Sequence, residues 1–231
     1  MRLRLFLAPV IAAAALLAPA APASAATGTG TTTVAVGPVT AGAATPANEC
    51  SAGFHGGDPR LGPQDLPRSG PVGRELTGYR RTGGLTEEKF LATYYSPTAN
   101  SGSPGWIYPP SDGYVLRPDG TPVEFTVSLL PGQDIDRYGS EYGSFLAPEG
   151  IPYAARSIPP QSLDGNPAAG CNYRDYRVLK PFTVHAGPIA PWFGQPGYGL
   201  QYQLDGALVL GAPTRLNVLW LVDNGYLARL N

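Results

Sequence analysis

The 231 residues hold only two cysteines, two histidines, one methionine and 14% charged residues. His55 and His185 stand without a neighbouring Ser or Asp that would suggest a hydrolytic triad, and no G-x-S-x-G elbow occurs. The phosphate-cradling glycine patterns are absent as well, since "GSEYGSF" is no Walker loop. A formal net charge of -1 excludes the strong basic excess by which proteins displace counterions from nucleic acid, so no nucleic-acid partner is expected. After the N-terminal run there is no further apolar stretch of the roughly 20 residues that cross a bilayer, and no membrane span is expected.

The N-terminal run has the form of an export signal. Arg2 and Arg4 supply a basic start, Leu5 to Leu17 an apolar centre, and Ala23-Ser24-Ala25 a small-residue cleavage site. Residues 1–25 are therefore read as a signal peptide and 26–48, rich in Ala, Thr, Gly and Pro, as a flexible leader. The mature protein is expected outside the cell. In an oxidising compartment the two cysteines, Cys50 and Cys171, are expected to form a disulfide. The alternative, a zinc site of Cys50, His55, Cys171 and His185, fits none of the paired-ligand spacings of structural zinc.

Abundant Gly (30) and Pro (26) argue against long helices. One helix is predicted from Thr86 to Tyr95, with Thr86 as N-cap and Glu87 and Glu88 in its first turn. A second is predicted over Arg215 to Asn224, with Leu216, Leu219 and Val222 or Asp223 at helical spacing and Gly225 as the stop. Between them "SPTANSGSPGWIYPPSDG" reads as a turn-rich connector. Strands are expected at Tyr114 to Arg117, Pro122 to Leu129, Arg177 to Val184 and Tyr226 to Leu230, the first two forming a hairpin about "PDGT". The pattern is α+β, dominated by short strands.

Two segments carry candidate chemistry. From Gln133 to Pro160, Arg137, Phe145 and Arg156 are interleaved with Tyr138, Tyr142 and Tyr153. Guanidinium groups bind phosphate and aromatic rings accept a flat heterocycle, although the same residues also suit a Tyr-rich core with two surface arginines. From Pro188 to Tyr202, "PIAPWFGQPGYGLQY" is a rigid Gly/Pro loop that carries Trp192, Phe193 and one amide, Gln195. By itself that amide could equally serve to fix the loop.

In order along the chain, "IDRYGSEYGSFLAPEGIPYAARSIPP", "YRVLKPFTVHAGPIAPWFGQPGYGLQY" and "GYL" resemble the NAD glycohydrolase domain of the tuberculosis necrotizing toxin type over Leu130 to Leu227. Upstream, "GGDPRLGP", "GGLTEEKFLATYYSPTA" and "WIYPPSDGY" are similar to the N-terminal region of the secreted fungal-type enzymes of that family. The resemblance implies a twisted, split-barrel-like sheet of mainly short antiparallel strands with few short helices. It divides the mature chain into a small N-terminal annex at 49–112 and a glycohydrolase domain at 113–231.

It further implies cleavage of NAD, and of NADP, to nicotinamide and ADP-ribose. NAD is then the substrate, and no cofactor is required. Carried over by motif, Arg137, Arg156 and Gln195 become catalytic, and Arg137, Phe145, Arg156, Tyr138 and Trp192 bind substrate. Glu141 is a spare carboxylate for the ribosyl cation. Where the toxins have a histidine in Y-H-x-Y, this chain has Arg174 in "YRDY". That departure keeps an inactive NAD-binding module open, and an ADP-ribosyltransferase is the other alternative. The resemblance also allows a homodimer and an immunity protein. With Asp223 the sole acid after Asp205, no calcium or other metal site is expected.

Overall fold

The computed structural model describes residues 44–231, which fall within one compact unit. The signal peptide at 1–25 and most of the leader at 26–48 lie outside the described residues. Three short helices and nine strands organise the described part, with 3-10 turns between them. They are α1 (Gly70–Glu75), α2 (Glu87–Tyr94), β1 (Tyr95–Asn100), β2 (Ser103–Trp106), β3 (Phe125–Leu129), β4 (Asp134–Tyr138), β5 (Phe145–Pro148), β6 (Tyr173–Val178), β7 (Phe182–Pro188), β8 (Leu200–Gln203), α3 (Val218–Asp223) and β9 (Leu227–Arg229). None of the helices is long and apolar enough to cross a membrane.

Seven strands form one curled sheet in the order β3-β7-β8-β5-β4-β6-β9, every neighbouring pair antiparallel. One side of the sheet buries Leu129, Ile135, Leu146, Val184, Tyr202 and Leu227 against Val218 and Leu221 of α3. The period of two is plain in β8, where Tyr202 joins this core while Gln201, one residue away, leaves it. A second cluster joins Cys50 and Val72 to Tyr138, Tyr153, Cys171 and Tyr173. Cys50 and Cys171 are disulfide-bonded there, their Cα atoms 5.3 Å apart. A third cluster packs Phe90 and Phe193 against Tyr94, Trp106 and Trp192.

Local chemistry places several elements where the sequence implies them. Thr86 caps α2, its Oγ1 accepting from Lys89 N at 3.2 Å. Asn217 caps α3 in the same way through Trp220 N, so that helix begins later than Arg215. Its buried face is Val218 and Leu221, one residue away from the expected Leu219 and Val222, because the sheet meets the helix on that side.

Three expectations are corrected. The turn-rich connector contains the β1–β2 hairpin, in which Tyr95 pairs with Trp106. Tyr114 to Arg117 forms isolated bridges rather than a strand: the turn about "PDGT" does set Leu116 opposite Pro122, with Arg117 N donating to the Thr121 carbonyl and Val123 N to the Val115 carbonyl, while β3 pairs along its length with β7. Arg177 to Val184 is not continuous: the chain turns at 179–181 and divides the run between β6 and β7. Pro181 lacks the N–H that a continuing ladder needs.

Candidate functional site

A cavity of about 490 Å³ opens between the ends of β4 and β5, the strand β8, and two loops. Arg137, Tyr138, Phe145, Arg156 and Gln201 contribute to its wall, and Tyr108 and Asp112 reach it from a loop that precedes the sheet. That size falls in the range of small-molecule sites, ~300–1,000 Å³. The stretch expected to be an annex thus supplies part of the cavity.

Arg137 sits on β4 with its guanidinium half-buried. Nε donates to the Ser140 carbonyl and Nη1 to the Phe145 carbonyl, both at 2.7 Å. Its neighbours are glycines for a steric reason: a Cβ at Gly143 would lie 1.9 Å from Nη2, and one at Gly139 would lie 2.8 Å from it. No carboxylate of the described residues pairs with this cation. Burial pulls its pKa down, and the Arg174 guanidinium, across the ladder from it, pushes the same way. An under-compensated cation of this kind is a natural anchor for an anion.

Arg156 is differently placed. It closes the 3-10 turn Tyr153–Arg156 and is 6% exposed. Nη1 and Nη2 donate to the two oxygens of Asp136 at 2.5 and 2.7 Å, and Nη2 also donates to Glu75 Oε2 at 3.0 Å. Tyr138 and Tyr173 complete the cluster by donating to Glu75 at 3.0 Å and Asp136 at 3.3 Å. Burial works against the Arg156 charge, but the Asp136 bonds outweigh it and leave its pKa raised. Burial likewise pushes the Glu75 carboxyl up to about 7, against the pull of Arg156. The Arg156 charge is thus spent inside the protein, which removes it as a free phosphate grip. It holds the floor of the cavity, with Nε left buried and unpartnered.

Gln195 is not in the cavity. It is 5% exposed, and its Nε2 donates to the Arg80 carbonyl at 2.7 Å and the Phe193 carbonyl at 3.2 Å. The loop meets the Arg80–Gly84 turn so closely that a Cβ on Gly83 would lie 2.3 Å from the Gly194 carbonyl oxygen, so glycine is required there. The amide fixes one loop against another. Trp192 is also outside: its Nε1 donates to Ile107 O at 2.7 Å and its ring packs against Tyr94. Glu141, the spare carboxylate, accepts from Arg229 and Tyr176 and does not line the cavity.

Two amides of the described residues line the cavity: Asn172, whose Nδ2 donates to the Ser162 carbonyl at 3.1 Å, and Gln201, 7% exposed, whose Nε2 donates to the Asp112 carbonyl at 3.0 Å. Its Oε1 accepts no hydrogen bond from the described residues. The alternation in "LQYQL" was the signal for it, since Leu200, Tyr202 and Leu204 share a face and leave Gln201 on the other. Tyr108 adds an exposed ring at the rim, held edge-to-face by Phe193 at 5.7 Å. No signal in the sequence set Tyr108 apart from the other tyrosines.

Fold and cavity together define a small antiparallel α+β domain with a ligand-sized cleft walled by a cation, amides and aromatic rings. Residues 128–230 match the family described as tuberculosis necrotizing toxin. Over 178 residues the chain is 45% identical to the conidial surface nicotinamide adenine dinucleotide glycohydrolase nadA of Aspergillus fumigatus, covering 76% of this chain and 70% of that protein. The chain belongs to the tuberculosis necrotizing toxin family. A solved structure of tuberculosis necrotizing toxin complexed with its immunity factor IFT is 21% identical, with a TM-score of 0.47, covering 62% of this chain and 71% of that one.

Proposed function

We propose that this protein is a secreted NAD glycohydrolase, acting on NAD and NADP to release nicotinamide and ADP-ribose. The observation that carries this reading is Arg137, a cation without a carboxylate partner among the described residues, beside Gln201 and the rings of Tyr108 and Phe145 in one cavity. Identity to a fungal glycohydrolase supports the same chemistry. Secretion is supported by the signal-like residues 1–25 and by the disulfide.

The reaction needs little from the protein. Nicotinamide in NAD is a pyridinium cation, so it leaves neutral and requires no proton, unlike the oxygen of an ordinary glycoside. Here Arg137 anchors the pyrophosphate with charge-assisted hydrogen bonds, and Tyr108 and Phe145 flank a flat ring. Gln201 holds its amide fixed through the Asp112 carbonyl and turns Oε1 to the ribose or the attacking water. Tyr138 contributes its ring as wall, while Arg156 keeps that wall in place.

Purified protein incubated with NAD should release free nicotinamide and ADP-ribose, and with NADP the corresponding phosphorylated product. Arg137→Ala should lower kcat/KM by ~10²-fold or more. Binding of NAD without nicotinamide release would show an inactive binding module, and ADP-ribose found attached to protein would show a transferase.

A further inference from the structure

We propose that Asp112 is a further catalytic residue of this cavity, the carboxylate that faces the ribosyl cation as nicotinamide leaves. The role rests on the glycohydrolase reading. Among the described residues two acidic residues line the cavity, Asp112 and Asp136. Asp136 is fully buried and both its oxygens are bonded to Arg156, so its charge is already matched. The Asp112 side chain has no hydrogen bond and no ion pair with the described residues, and it stands exposed at the rim.

The backbone under Asp112 is fixed unusually well for a rim loop. Ser111 and Asp112 both hold left-handed torsions, φ 51° and 53°. The Asp112 carbonyl accepts from Gln201 Nε2 at 3.0 Å, and Ala190 N donates to the next carbonyl, that of Gly113, at 2.8 Å. The main chain that carries the free carboxylate is therefore bonded to the Gln201 amide.

The chemistry needs such a group. The C1′–N bond breaks, its electron pair passes to the pyridinium nitrogen, and positive charge develops on the ribosyl group. Water then bonds to C1′ and gives up one proton. A carboxylate opposite C1′ stabilises the cation electrostatically, takes that proton and passes it to solvent. NAD and water become nicotinamide, ADP-ribose and one proton, so atoms and charge balance.

The test uses the full chain with Asp112→Asn, an isostere that keeps the left-handed torsion, and Asp112→Gly, which favours it. Both should melt as the native protein does while kcat for nicotinamide release falls by ~10²-fold, with KM little changed. A kcat within about threefold of native, well short of the loss expected for a transition-state contact, overturns the proposal, and so does a rise in KM alone. Unfolding of both variants would show a structural position and overturn it too. A native protein that releases no nicotinamide overturns the glycohydrolase reading itself, and this role with it.

Discussion

Arg156 and Asp136 form a two-bonded ion pair beneath the cavity, at 2.5 and 2.7 Å, with both residues buried. Taking away one partner strands the other charge in a low-dielectric site, at a cost of about 3–5 kcal/mol. Arg156→Ala should therefore lose folding stability before it reveals anything about substrate. Chemical denaturation checks this: a midpoint equal to native would mean the pair is not formed as described.

Gln195 and Gln201 separate a loop anchor from a cavity amide. Gln195→Ala leaves the Arg80 carbonyl without its donor, a loss of about 1–3 kcal/mol, with turnover little changed. Gln201→Ala should keep most of the stability and lower kcat by ~10²-fold. Paired melting and NAD-hydrolysis measurements decide between them, and the reverse pattern would restore Gln195 to the site.

Three carboxyls have pKa values raised mainly by burial: Glu75 to about 7, and Asp164 and Asp175 to about 6. A raised carboxyl pKa means that the folded state binds protons the unfolded chain has already released. Stability should then fall as pH rises from the ordinary carboxylate range through 6 and 7. In the opposite direction, Asp58, Asp134 and Glu141 are depressed chiefly by hydrogen bonds to arginines, so strong acid also destabilises. Scanning calorimetry should find a higher Tm near about pH 5 than about pH 8, and Glu75→Gln should flatten that fall. A Tm that climbs over this interval would contradict the assignment.

The disulfide closes a long loop, its cysteines 121 residues apart in sequence. Cross-links of this kind contribute about 2–5 kcal/mol, chiefly by restricting the unfolded chain. Paired replacement of Cys50 and Cys171 by alanine should lower Tm on the order of 5–15 °C. An unchanged Tm would show that the bridge closes no constraint the fold does not already impose.

Much of this protein was legible from the order of its residues, because caps, periodicities and turn residues act over a few positions. Thr86 marked the start of α2, and the run from the "PDGT" turn to Leu129 marked β3. Arg137, Tyr138 and Phe145 stood out as a cation and aromatic rings within nine residues, and the fold sets them on the adjacent strands β4 and β5 at one cavity. The β1–β2 hairpin was missed, since Gly and Pro within Ser103–Trp106 look like a loop until Tyr95 and Trp106 pair.

What the sequence by itself determined was the kind of group available: a cation, an amide, rings, and cysteines suited to an oxidising compartment. Which group met which was decided only by tertiary structure. Arg156 finds Glu75 across 81 residues, Gln195 finds Arg80 across 115, and Gln201 finds Asp112 across 89. Whether a charge or an amide is free for a ligand depends on whether the fold has already given it a partner, and such partners are fixed by contacts too distant along the chain for local pattern to carry.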